Sequence, residues 1–233
     1  IGRLVGSEMC IRDRAYKRGD LDKATDFYKK ATKYDETFYL AFYQLGVLEK
    51  KIGNSEDAIS HFNKAISIKP DFHKAWFTLG TSYEVDNNLD SAIVKYEKAI
   101  ELNPGYTKAY SNLGNIHLIR KDYDIARDIL LTAIQIDPEY ADAYLRLGVV
   151  FSEQELFKEA SEQFKKCTEY DLKNYDAWFR YASSLNAIDN FSEASIAAQK
   201  CIDLKSNFGG GWYEKGIAEM KSGKKTRALK YFE

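Results

Sequence analysis

The 233-residue chain has only three cysteines, three histidines and three prolines, and the scarcity of the first two narrows what it can be. Three cysteines cannot build the disulfide framework of a small secreted domain. The histidines, His61, His73 and His117, show no metal-binding spacing on one helix face and have no cysteine near them, so no metal site is expected. No glycine-rich phosphate loop, nucleophile elbow or isolated acid pair stands out, so the reading expects no cofactor, no catalytic residue and no enzyme. Charge of one sign is lacking as well. Lys plus Arg total 34 against 35 for Asp plus Glu, and a net charge of -1 gives no long-range field to gather nucleic acid or an anionic membrane surface. No run approaches the roughly 20 apolar residues that span a bilayer.

What the chain does have is 45% hydrophobic residues, enough for a real core, and an internal period. Pro70, Pro104 and Pro138 are each 34 residues from the next. Trp76, Trp178 and Trp212 fall in the same register, and so do Ala24, Ala58, Ala92, Ala126, Ala160, Ala194 and Ala228. The clearest unit, His73 to Tyr106, reads HKAWFTLGTSYEVDNNLDSAIVKYEKAIELNPGY. In it Trp76, Leu79, Gly80, Tyr83, Ala92, Tyr96, Ala99 and Pro104 resemble the signature of the tetratricopeptide repeat at every slot. The resemblance covers about Ala15 to Glu233. It implies an all-α fold, a right-handed superhelix of antiparallel helix pairs.

Each signature slot has a physical reason. Trp76, Leu79 and Tyr83 are spaced i, i+3, i+7, lie on one face of a first helix, and are expected to form the core. Glycine in the eighth slot (Gly46, Gly80, Gly114, Gly148, Gly216) and alanine in the twentieth remove bulk where two helices cross closely. Ala182 fills the eighth slot once. Gly19, Gly53, Asn87 and Gly223 tolerate the left-handed conformation that ends a helix. Asp20, Asn54, Asn88, Asp122 and Asn190 follow them, and their side-chain oxygens are expected to cap the second helix. Proline then stops that helix. Leu172 and Ser206 replace it in the fifth and sixth repeats, which leaves those helix ends open, and Ala198 replaces the large residue of the twenty-fourth slot. Cys167 and Cys201 occupy equivalent slots of adjacent repeats, on helices about 8–10 Å apart. That is beyond the roughly 7 Å a disulfide tolerates, so both read as small buried hydrophobes. His117 stands in the slot of Tyr83 and reads as a core residue.

The expected organisation is a partial repeat at about 15–38, full repeats at 39–72, 73–106, 107–140, 141–174 and 175–208, and a truncated one at 209–233. Residues 1–14 are set aside, because Leu4 to Asp13 (LVGSEMCIRD) resembles a translated sequencing-library adapter and fits the repeat nowhere. With that start set aside, the absence of a targeting segment carries no weight. A solenoid needs polar terminal caps, and neither end supplies one, so the native protein is expected to continue past both. The basic cluster Lys221, Lys224, Lys225, Arg227 and Lys230 reads as a solvated face.

In the family that the chain resembles, ligands meet mainly the second, fifth, ninth and twelfth slots of the first helices, with the sixth and thirteenth helping. The fifth slot holds Tyr43, Phe77, Ser111, Leu145, Phe179 and Tyr213, a mostly aromatic stripe for which ligand contact and packing against the next repeat both stand. The second slot holds Leu40, Lys74, Lys108, Asp142, Asp176 and Gly210, so the rim is expected to pass from basic to acidic. Asn112 and Asn115 add polar groups, too few for the asparagine ladder of one subgroup. The carboxylate clamp of another is rejected, because its register offers Phe77, Thr81, Asn112, Asp142 and Arg146. Arg146 and Arg180 share the sixth slot and either meet an acidic or phosphate group together or, the favoured reading, pair with Asp142 and Asp176. The implied function is a scaffold that holds a protein or peptide in its groove. The alternative is the recognition arm of a larger enzyme or signalling protein. A base-reading nucleic-acid repeat is disfavoured, because Asp142, Asp176 and Glu84 occupy groove slots.

Overall fold

The computed structural model describes residues 21–224 and Ala228. The adapter-like start and its flank, Gly19 and Asp20 included, lie outside these residues, as do Lys225, Arg227 and Lys230. The described residues form twelve α-helices and no strand. The first helices of the pairs are α2 (Tyr39–Ile52), α4 (His73–Val85), α6 (Thr107–Ile119), α8 (Ala141–Glu153), α10 (Tyr175–Ala187) and α12 (Gly209–Lys221). The second helices are α1 (Leu21–Tyr34), α3 (Ser55–Ile68), α5 (Leu89–Leu102), α7 (Tyr123–Ile136), α9 (Phe157–Tyr170) and α11 (Phe191–Leu204). The chain divides within α6 into two compact units, 1–109 and 110–233.

In the first unit α1 packs on α2, α2 on α3, α3 on α4 and α4 on α5. Its core comprises Ala24, Tyr28, Leu45 and Leu48 around α1 and α2, and Phe62, Ile66, Ala75 and Leu79 around α3 and α4. Leu79 is fully buried, whereas Trp76 and Tyr83 flank it only partly buried. In the second unit α7 to α12 pack each on the next. Leu130, Leu147, Phe164, Tyr181 and Leu185 are its larger buried side chains.

The close crossing within a pair is set by two slots sixteen residues apart. A methyl group on Gly46 would come within 2.6 Å of the Phe62 ring, one on Gly80 within 2.7 Å of Tyr96, and one on Gly148 within 2.5 Å of Phe164. On Gly114 it would meet Leu130 at 2.7 Å. The eighth-slot glycine is therefore the seat of the large twenty-fourth-slot residue of its own repeat. The sixth repeat obeys the same rule in reverse, since Ala182 supplies the methyl group and Ala198 withdraws the ring, and both are fully buried.

The turn inside each pair is one repeated device. Gly53, Asn87, Lys121, Glu155, Asp189 and Gly223 all adopt positive φ, between 56° and 92°. The following N–H reaches the carbonyl five residues back at 2.8–2.9 Å in all six copies, Asn54 to Glu49 and Asn88 to Tyr83 among them, the Schellman closure of a helix. Three positions that do not read as helix stops, Lys121, Glu155 and Asp189, thus take the left-handed conformation.

Capping of the second helix departs from expectation. Of the expected caps among the described residues, only Asn88 caps as foreseen, accepting from the Ser91 N–H at 3.2 Å. Asn54, Asp122 and Asn190 make no side-chain cap. Each has another use: Asn54 donates to Glu49, Asn190 donates to Glu193, and Asp122 lies 3.2 Å from His117 Nδ1. That pairing places His117 at the rim of the turn, its side chain still 15% exposed, rather than deep in the core.

Proline proves dispensable for ending the second helices. α9 and α11 stop at Tyr170 and Leu204, in register with Ile68, Leu102 and Ile136, although Leu172 and Ser206 stand where the other repeats have proline. The fourth-slot residue of the next helix holds this junction through a carbonyl that any residue supplies. Trp76 Nε1 donates to Pro70 O at 2.8 Å, Trp178 to Leu172 O at 3.2 Å, Trp212 to Ser206 O at 2.8 Å, and the Tyr144 hydroxyl to Pro138 O at 3.0 Å.

Candidate functional site

In the first unit the fifth-slot rings have intramolecular neighbours. Tyr43 meets Phe72 edge-on with centroids 5.0 Å apart, and Phe77 meets Tyr106 in the same way at 5.1 Å. Phe72 and Tyr106 occupy the last slot of their repeats. On the other side each lies against a first-slot ring, Tyr39 at 5.1 Å or His73 at 5.0 Å. Such edge-to-face pairs add about 0.5–1.5 kcal/mol beyond area burial. The sequence signal was there, an aromatic residue at 38, 72, 106, 140 and 208, but it marks no signature slot.

The polar groups on this surface are linked across repeats. Tyr43 Oη lies 3.2 Å from Thr78 Oγ1, and the Lys50 ammonium donates to Thr81 Oγ1. Burial lowers the Lys50 pKa, and the carboxylates of Glu84 and Asp86 pull it back up. Sequence reasoning singled out neither Thr78 nor Lys50. Leu40 is partly buried, while Lys74 and Lys108 are exposed and make no ion pair among the described residues.

In the second unit the fifth slot is more varied. Ser111 is fully buried and donates to Asp142 Oδ2 at 2.6 Å. Leu145 packs beside Tyr144, Cys167 and Ala177, and Phe179 meets Phe208 edge-on at 5.2 Å. Gly210 leaves room for that ring pair, because a methyl group there would come within 2.7 Å of Phe208. Tyr213 is 56% exposed, and Asn112 and Asn115 are partly buried.

Both arginines pair within their own helices. Arg146 Nε donates to Asp142 Oδ2, and Arg180 Nε to Asp176 Oδ2, each at 2.7 Å. Asp142 and Asp176 of the second slot are therefore ion-paired, the arrangement that the sequence reading favoured. Among the described residues Lys74 and Lys108 make no ion pair, whereas Asp142 and Asp176 are paired.

Among the described residues no group of His, Cys, Asp and Glu can hold a metal ion. Cys167 and Cys201 are free and fully buried, and burial pushes their thiols up to about 12 and about 11. They have the character of small core residues.

Models of the tetratricopeptide repeat match residues 39–72 and 105–173, and a TPR-repeat model matches 86–119. The chain belongs to the tetratricopeptide-repeat family. The crystal structure of MamA is 30% identical to this TPR chain, with a TM-score of 0.63 over 70% of it and 95% of MamA. PilF of Pseudomonas aeruginosa is 22% identical, with a TM-score of 0.74 over 84% of this chain and 89% of its own. YrrB is 20% identical, with a TM-score of 0.62 over 81% and 97%. A comparison with curated proteins finds no match. TPR arrays are protein-interaction modules, and this chain is a protein-interaction scaffold of a family that is generally non-catalytic. No helix among the described residues is long and apolar enough to cross a membrane.

Proposed function

We propose that this TPR chain holds an extended segment of a partner protein against the exposed faces of its first helices. The observation that carries the reading is the contrast between slots of the same helices. The seventh-, eighth- and third-slot residues Leu79, Gly80 and Ala75 are sealed in the core, while the second and fifth slots keep Lys74 exposed and Phe77 partly exposed. Leu147 and Tyr213 show the same contrast in the second unit, 1% against 56% exposed. The similar fold of YrrB, described as a TPR protein with an unusual peptide-binding site, agrees with this use of the surface. Nucleic acid is a poor occupant, since the sixth-slot cations of the second unit, Arg146 and Arg180, are already paired with Asp142 and Asp176.

Replacing Lys74 and Tyr213 with alanine tests the proposal with little cost to the core, because both are exposed. We expect the double variant to unfold within about 0.5 kcal/mol of the parent and to lose partner capture from lysate. Undiminished capture by the folded variant would place the binding surface elsewhere.

A further inference from the structure

We infer that His73 and Asn103 form an acid-released latch on the ring cluster that positions Phe77. Three repeats build the same aromatic corner from their first, fifth and last slots. The first-slot ring meets the last-slot ring at 5.1 Å for Tyr39 and Phe72, 5.0 Å for His73 and Tyr106, and 5.3 Å for Tyr175 and Phe208. In two of them the residue three before the last slot is a lysine whose ammonium lies over the first-slot ring. Lys69 is 5.3 Å from the Tyr39 centroid and Lys205 is 4.1 Å from that of Tyr175. The 73–106 repeat replaces both partners at once. Asn103 stands for the lysine and His73 for the tyrosine, with Asn103 Nδ2 3.3 Å from His73 Nε2. Lysine and tyrosine side chains ordinarily keep their protons across neutral pH, whereas imidazole is the group that changes charge there.

The orientation of the amide fixes which charge state the latch accepts. Asn103 Oδ1 accepts the Gly105 N–H at 3.2 Å, so Nδ2 is the atom turned to the imidazole. An amide nitrogen only donates, and the Nε2 that faces it is therefore the bare nitrogen of a neutral ring. Protonation puts an N–H on Nε2 and sets two donors against each other. Flipping the amide to offer Oδ1 would turn Nδ2 onto the Gly105 N–H, so one bond is lost either way. Tyr106 carries the change onward, because it lies between His73 and Phe77, 5.1 Å from the latter.

The surroundings favour the neutral ring. Burial, and after it the neighbouring Lys74 ammonium, hold the His73 pKa below the ordinary imidazole value. Among the described residues no carboxylate pairs with His73. Asp71, before α4, pairs with Lys69 at 3.5 Å, and Glu101, at the end of α5, with Lys98 at 2.7 Å. Lys64 of α3 lies over the Phe42 ring, and exposed Lys108, two residues past Tyr106, is a further cation. A histidine with a lowered folded pKa contributes stability that is full above the ordinary value of about 6.5 and lost as pH falls through the folded one. Phe77 belongs to the groove row proposed above, but the latch acts without a partner and does not depend on that reading.

The test follows the imidazole Cε1–H signals of the full chain by NMR from about pH 8 to about pH 5, with urea midpoints over the same range. His73 should titrate below the ordinary imidazole value, and the Tyr106 and Phe77 ring signals should shift with the same midpoint. Asn103→Asp keeps an acceptor for the Gly105 N–H but offers a carboxylate to Nε2, so it should move the His73 titration above the ordinary value. The double variant His73→Tyr with Asn103→Lys installs the pair that two other repeats use. The urea midpoint of the parent should fall relative to that variant as pH drops, and His61 and His117, present in both, cancel in the difference. Titration of His73 at or above the ordinary value, ring signals that ignore it, or no rise in Asn103→Asp would overturn the inference. So would a midpoint difference independent of pH, and if a variant fails to fold, the parent's own titration and ring signals decide.

Discussion

Alanine for glycine in the middle of a helix normally stabilises, by about 0.5–1 kcal/mol. At position 148 the structure reverses the sign. The new methyl group would lie 2.5 Å from the Phe164 ring, which is 1% exposed and packed among Ala160, Tyr181 and Ala182. Overpacking of this kind costs about 1–3 kcal/mol, so Gly148→Ala should destabilise by roughly 0.5–2 kcal/mol net after the helix gain. Phe164→Ala alone should cost about 3–5 kcal/mol. In that background the obstacle is gone, and adding Gly148→Ala should recover about 0.5–1 kcal/mol. The same methyl group is harmful beside phenylalanine and helpful beside alanine, which is the pairing that Ala182 and Ala198 already present. A double-mutant cycle from urea unfolding at constant m measures the coupling. If Gly148→Ala stabilised both backgrounds alike, the claim that this glycine seats the ring would be wrong.

Two further expectations concern the turns and one partly buried hydrogen bond. Glu155→Gly and Lys121→Gly should each raise stability by about 0.5–1 kcal/mol, since both residues hold positive φ, whereas Gly53→Ala should lower it; a fall in Tm for both glycine variants would count against the strain. Glu193 is held below the ordinary carboxylate range chiefly by the hydrogen bond from the Tyr181 hydroxyl. A depressed acid contributes stability that is full above its ordinary pKa and lost as pH falls through the folded value. The stability gap between the parent and Tyr181→Phe should therefore be wide near pH 7 and narrow toward about pH 3, and a gap independent of pH would refute the linkage.

Much of the site is readable from residue spacing, and particular residues show where reading stops. The recurrence of Leu79, Gly80 and Ala92 across the copies tells which side of each helix is buried, because a face is a local property of helical geometry. The same spacing puts Lys74, Lys108, Asp142 and Asp176 in one repeat slot. The i, i+4 spacing also tells that Arg146 and Arg180 pair with the two aspartates, but not that Ser111 of another repeat donates to Asp142 as well. Asn54 and Asp122 have good capping chemistry, yet Glu49 and His117 claim them across the turn.

Period, helix pairing and the identity of the buried faces belong to the amino-acid sequence alone, because each follows from residues that repeat at fixed intervals along one chain. Tertiary structure decided the rest: the seat that Gly148 makes for Phe164, the left-handed turn imposed on Lys121 and Glu155, and the hydrogen bond from buried Ser111 to Asp142 of the next repeat. These are outcomes of packing between helices, where ångström-scale approach of groups distant in sequence outweighs the local preference of any single residue.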